Sequence, residues 1–190
     1  MSEPIAGRFA WGIRGALLFV FAVGIRRRNP GAVVNAAVAF VGTFLPDLIE
    51  RRYPVTFRPW QRVYALTALL THAVGMLGPY DEVGWWDTLT HVHSASILGG
   101  IAHTVARRRG TDPQTAVVLT VTVVGLLWEL LEYLIHVLAR RFDLEPILIN
   151  YGKRDTALDL VSNSVGAILV VLLGDRFLGN FTDDGVASEH

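Results

Sequence analysis

Long apolar runs separated by short polar connections constrain this chain more than any other feature. A helix needs about 20 mostly apolar residues to cross a bilayer. Six stretches approach that length: Phe9 to Ile25, Gly31 to Leu48, Trp60 to Leu77, Val83 to just before Arg107, Gln114 to Leu138, and Asp155 to Leu173. Backbone polar groups facing lipid must be satisfied within the segment, which favours helices. The expectation is an all-α polytopic transmembrane bundle of about six helices. It forms a single transmembrane domain over residues 1–180, followed by a polar, acidic tail over 181–190.

Composition agrees. Hydrophobic residues make up 52% and charged residues 18%, against about 25% charged in soluble domains. Lys+Arg and Asp+Glu are both 17, so no net basic field exists to hold nucleic-acid phosphates. Cysteine is absent, which removes disulfides, thiolate metal sites and a thiol nucleophile. No Gly-rich phosphate fingerprint of the Rossmann or P-loop kind occurs. The expected partners are membrane lipids and a lipid-linked substrate. Ser96-x-x-x-Gly100 offers a small-residue helix contact.

The first two segments are the weakest spans on sequence. The first is short in unbroken apolar residues, and Arg14 is expected to snorkel toward an interface. A cleaved signal peptide would fit its length, but Arg26-Arg27-Arg28 stands where a small-residue cleavage site belongs, so the segment reads as retained. The second carries Asn35 and Pro46. Trp11, Trp60, Trp85 and Trp86 fall near segment ends, where aromatic belts form. With a cytoplasmic N-terminus, the inner side takes Arg8, Arg14, Arg51, Arg52, Arg58, Arg62, Arg107, Arg108, Arg109 and Arg176. The outer side takes Arg26, Arg27, Arg28, Arg140, Arg141, Lys153 and Arg154. This favours a cytoplasmic N-terminus in the cell membrane.

A charged side chain at the centre of a spanning helix costs roughly 2.5 to 3.5 kcal/mol on insertion scales. Three segments nevertheless carry such residues at helical spacing. In the fourth, Asp87 and His91 lie four apart on one face, with Ser94 beyond them. In the fifth, Glu129, Glu132 and His136 follow an i, i+3, i+7 pattern among apolar neighbours, as an inward stripe on a lipid-bathed helix would. In the sixth, Asp155, Asp159 and Asn163 step by four, and Ser162 and Gly166 allow close helix approach. Alternate helices run in opposite directions, so all three stripes fall on one side of the bilayer. His72, late in the third segment, falls there too. With a cytoplasmic N-terminus that side is extracytoplasmic.

Simpler accounts cover some of these residues. Asp87 and Asp155 stand near helix starts, where a carboxylate caps the first turn. His72, His93 and His103 read as packing residues. Glu129, Glu132 and Asp159 lie inside apolar runs, with Arg140, Arg141, Arg154 or protonated His91 and His136 as the available partners. Convergent carboxylates repel unless they share protons or a divalent cation. Carboxylates with imidazole suit Mn, Fe or Zn, and carboxylates alone suit Mg or Ca. The candidate ligands are Asp87, His91, Glu129, Glu132, His136, Asp155 and Asp159. Glu129, Glu132 and Asp159 are the candidate catalytic groups, and Asn163, His72 and Arg154 are polar support. The Glu-x-x-His pair of di-iron bundles is absent, since Glu132 and His136 are four apart.

Three motifs carry a resemblance. Asp87-x-x-x-His91 with Gly99-Gly100, then Trp128-Glu129-Leu130-Leu131-Glu132-Tyr133, then Arg154-Asp155-Thr156-x-x-Asp159-Leu160 together resemble the YjdF-type family of membrane proteins. The continuation Asp159-x-x-x-Asn163-x-x-Gly166-Ala167 resembles the distantly similar VanZ-like family, with Glu132 where those proteins place Gln. The resemblance covers residues 87–173. It implies a membrane protein and assigns no activity. Three functions stay open: a metal-dependent enzyme acting on a lipid or lipid-linked phosphate, a small proton- or ion-coupled transporter, and an accessory protein whose polar network fixes helix packing.

Overall fold

The computed structural model describes residues 3–144 (side chains from residue 6), 147–148 and 152–182. Among these it forms eight helices and no strand. They are α1 (Glu3–Arg27), α2 (Pro30–Gly42), α3 (Leu45–Arg52), α4 (Pro59–Gly75), α5 (Pro79–Glu82), α6 (Trp86–Arg109), α7 (Pro113–Arg141) and α8 (Lys153–Thr182). Phe181 and Thr182, expected in the tail, complete α8 instead; the tail from residue 183 lies outside the described residues.

Local chemistry fixes these boundaries. Pro30, Pro59, Pro79 and Pro113 each open a helix, where the missing N–H costs nothing. The Asn29 side chain accepts the Ala32 N–H at 2.9 Å, and Asp112 accepts from Thr115 at 2.8 Å. Both are N-caps. Gly110, at φ 67°, ends α6 in the left-handed conformation that favours glycine.

The second segment differs from expectation. It breaks after Gly42 and resumes at Leu45, because Pro46 has no N–H to offer the Gly42 carbonyl. Arg14 fills the break rather than snorkelling. Its Nε donates to Thr43 Oγ1 at 3.0 Å, its guanidinium lies 3.6 Å from Asp47, and it stacks 4.0 Å over the Phe44 ring. Arg62 completes the network by pairing with Asp47 and Glu50.

Four runs are long and apolar enough to cross a membrane: Ala6–Arg27, Pro30–Arg52, Pro113–Arg141 and Lys153–Thr182. The first two, expected to be the weakest, are among them. The segments that fall short are α4, at 17 residues, and α6, diluted by Asp87, His91, His93 and His103. These two helices lie between the others, so their polar groups meet protein.

Two helical triplets result. Ile13, Leu17 and Val20 of α1 pack with Ala36 and Ala39 of α2 and with Leu66 and Ala73 of α4. Ala95 of α6 packs with Val117 and Val121 of α7 and with Ala167 and Val170 of α8. Contacts of α4 with α6 join the triplets: Tyr64 and Ser96 hydroxyls meet at 2.6 Å, and Trp86 Nε1 donates to the Thr71 carbonyl at 3.1 Å. The contact between α6 and α8 is the most extensive. A Cβ on Gly166 would lie 2.7 Å from Ala95 Cβ and 2.8 Å from the Val92 carbonyl. The small pair Ser96 and Gly100, a candidate contact between copies, is used within the chain, against Tyr64 and Leu178.

Candidate functional site

The glycine contact between α6 and α8 brings the N-terminal halves of those helices together, and with them two of the three polar stripes. His91 is the hub. Its Nε2 lies 3.5 Å from Asp87 Oδ1 and 3.6 Å from Asp159 Oδ1. Its Nδ1 faces Asn163 Oδ1 at 3.3 Å. The Asn oxygen can only accept, so Nδ1 carries a proton toward it, while Nε2 faces the two carboxylates. Asp87, His91 and Asp159 each offer a ligand atom, all within 4.8 Å of one another. Two donors about 2.1 Å from one tetrahedral ion stand about 3.4 Å apart, which the two His91 distances match. The Asp159 side chain is 4% exposed and that of Asp87 34%, so the group opens on the Asp87 side.

The third stripe borders this group. Glu129 is 6% exposed; its carboxylate oxygens make no hydrogen bond of good geometry among the described residues, and the Thr156 hydroxyl is the polar group that stands near it. Glu129 lies within electrostatic reach of His91, Asp87 and Asp159. Glu132 is half-buried, and its Oε1 accepts from Trp128 Nε1 at 2.9 Å. His136 is half-buried with Nδ1 unpartnered, and no described contact ties it to the group. Asp155, also half-buried, acts electrostatically on Asp159 and Glu132.

The supporting residues separate. Asn163 holds His91. Arg154 is exposed, as are Arg140, Arg141 and Ser94. Among the described residues no ion pair joins any of these arginines to Glu129, Glu132 or Asp159, so the expected Arg partners are not used. Only the His91 alternative is realised, at Asp159. Long side chains at helix ends favour water over a buried carboxylate.

Two participants, Tyr80 and Thr90, carry no charge and escape sequence reading. The Tyr80 hydroxyl donates to Thr90 Oγ1 at 3.2 Å, and Thr90 donates to the Asp87 carbonyl at 2.9 Å. Tyr80 has one proton, so it accepts from His72 Nδ1 at 2.5 Å. Burial pushes the Tyr80 phenol well above its ordinary value, which keeps it an O–H donor. The only sequence signal was Gly78-Pro79, a turn that starts α5 and folds Tyr80 back onto α4.

Comparison with known proteins adds one finding. A family model described as "Predicted membrane protein (DUF2238)" matches residues 9–180. The YjdF-type resemblance therefore extends well beyond the region of the motifs. The VanZ-like likeness remains one of motif. No curated protein and no solved structure matches the chain.

Proposed function

Because the chain belongs to this family of membrane proteins, we propose that it holds a divalent cation at Asp87, His91 and Asp159 and acts on a lipid or lipid-linked phosphate. The supporting observation is the ligand group itself: three donor atoms within 4.8 Å, beside a buried Glu129 carboxylate with the Thr156 hydroxyl near it and no ion-pair partner among the described residues. An isolated buried carboxylate is expensive, and a cation is the partner that relieves it. Bound there, Mn, Zn, Fe or Mg supplies a Lewis acid or an activated water. Asn163 orients the His91 ring, as outer partners of metal-ligating histidines do. Glu129 stands where it can take a proton from water. Exposed Arg140, Arg141, Lys153 and Arg154 draw an anionic headgroup toward that end of the bundle. In the cell membrane this end is extracytoplasmic and the N-terminus cytoplasmic.

Elemental analysis of detergent-purified protein tests the reading. The expected result is near-stoichiometric metal in wild type and its loss in Asp159→Asn and His91→Ala, with helix content retained. Metal-free, well-folded wild type after supply of Mn, Zn and Mg overturns it. That outcome favours proton or ion movement along α7, where Glu129 and His136 both carry unpartnered polar atoms. Flux in liposomes that collapses in Glu132→Gln would then carry that reading.

A further inference from the structure

We propose that the groove between α7 and α8 seats one acyl chain of a membrane lipid whose phosphate-bearing head reaches the Asp87–His91–Asp159 group. This deepens the function proposed above and rests on it for the head, though not for the tail. The groove encloses about 290 Å³. Its walls are two ridges of four-residue spacing, Val118, Thr122 and Leu126 on α7 and Leu160, Ser164 and Ile168 on α8. Val118, Leu126 and Ile168 are half or more exposed, on two helices apolar enough to cross the membrane, so the groove faces lipid. Each ridge spans eight residue steps, about 12 Å along the helix axis.

The depth of the groove suits a lipid rather than a soluble ligand. Asp159 lies one residue before the ridge on α8, toward the helix start, and Glu129 three residues beyond the ridge on α7, toward its end. Both therefore stand at the same mouth of the groove, and the apolar walls run from there toward the middle of the bundle. A molecule lying in it has its polar end at the carboxylates and its apolar end deep, as a bilayer lipid is oriented. Asn163 connects the two regions. It lines the groove while its Oδ1 faces His91. Gly125 on α7 makes room for it, since a Cβ there would stand 3.0 Å from Asn163 Nδ2.

The test uses full-length protein in dodecyl maltoside and a phosphatidic acid carrying a diazirine in one acyl chain. Photolabelling is mapped by mass spectrometry, and metal content is measured on the same samples. The expected result is labelling concentrated on Thr122, Leu126, Ser164 and Ile168, several-fold above Phe19 of α1 and Val38 of α2. Unlabelled phosphatidic acid competes, and diacylglycerol of the same chains does not. Ser164→Trp and Thr122→Trp, at exposed positions that leave the ligands untouched, cut the labelling several-fold. Labelling spread evenly over exposed apolar faces, or unchanged in both Trp variants, overturns the proposal, as does equal competition by diacylglycerol. Stoichiometric metal without selective groove labelling removes the lipid seat alone. Selective labelling without metal supports the lipid seat and removes the cation.

Discussion

His91 keeps two tasks on opposite sides of one ring. Nδ1 is held by Asn163 at 3.3 Å, and Nε2 faces two carboxylates at 3.5 and 3.6 Å. Removing the orienting partner should weaken a bound cation without removing a ligand. Asn163→Ala should lower metal affinity by about 10- to 100-fold, read by competition against a chelator, whereas Asp159→Asn should abolish stoichiometric binding. Unchanged affinity in Asn163→Ala would mean that the ring needs no second hold. Glu129 makes a separate prediction. With no cation present its buried carboxylate makes no hydrogen bond of good geometry among the described residues, so Glu129→Met, which removes the polar atoms at similar length, should stabilise chelator-treated protein, by about 1 to 3 kcal/mol. At about 2 to 4 °C per kcal/mol for a chain of this size, thermal unfolding resolves that gain. A lowered midpoint would show that the carboxylate has a partner in the metal-free fold. At this scale the sequence was informative wherever a charge interrupted an apolar run, as at Glu129 and Asp159. It was uninformative for Tyr80 and Thr90, because uncharged hydroxyls are ordinary in any helix. Their hydrogen bonds arise only once α5 turns back onto α4.

Two local devices set how the helices approach, and each was half visible in advance. Gly166 was legible as a small residue suited to close packing, but which helix it would meet was not. In the fold it meets the Val92 carbonyl and Ala95 of α6, and that contact draws His91 against Asp159. Gly166→Val should overpack the crossing, cost about 1 to 3 kcal/mol, and release metal as the two ligand helices part. Gly15 supplies the control, since nothing lies within 4 Å of a Cβ there. Gly15→Ala should stabilise α1 by about 0.5 to 1 kcal/mol and leave metal content unchanged. If both glycine variants behave alike in thermal unfolding, the crossing is not what positions the ligands. The break between α2 and α3 is the second device. Pro46 was visible within the second segment, and Arg14 was read separately as a snorkelling charge. Pairing them required knowing that α1 lies against α2, which no periodicity reveals. Arg14 is 8% exposed and shares Asp47 with Arg62. Asp47 is 44% exposed on its side chain, so Arg14→Ala should cost about 2 to 3 kcal/mol rather than the larger penalty of breaking a fully buried pair. A smaller loss would assign the break to Pro46 alone.

At the scale of the whole molecule, helix direction separates two polar ends. The C-terminal ends of α4 and α7 and the N-terminal ends of α6 and α8 carry His72, Glu129, Glu132, Asp87 and Asp159. The opposite end carries Arg62 with Asp47 and Glu50, together with Gln61 and Asn180, whose amides pair reciprocally at 2.9 and 3.0 Å. That acidic and imidazole groups gather at one end follows from alternating helices, so it could be reasoned from sequence whichever way the chain faces. Which side of the membrane receives that end is a separate matter, argued from ten inner against seven outer cations. Because the chain has no cysteine, single introduced thiols report topology without background. Gly84 lies in the connection before α6, with open space around its Cα, and Thr111 lies in the exposed connection between α6 and α7. In intact cells a membrane-impermeant maleimide should label Gly84→Cys and spare Thr111→Cys until the membrane is permeabilised. Labelling at both positions before permeabilisation would mean that α6 does not cross, which would undo the one-sided argument itself. The reverse pattern would invert the protein and place the Asp87–His91–Asp159 group on the cytoplasmic side. The cation reading would survive that inversion, since ligand geometry is indifferent to direction. The substrate would not, because a headgroup would then have to be reached from the inner leaflet.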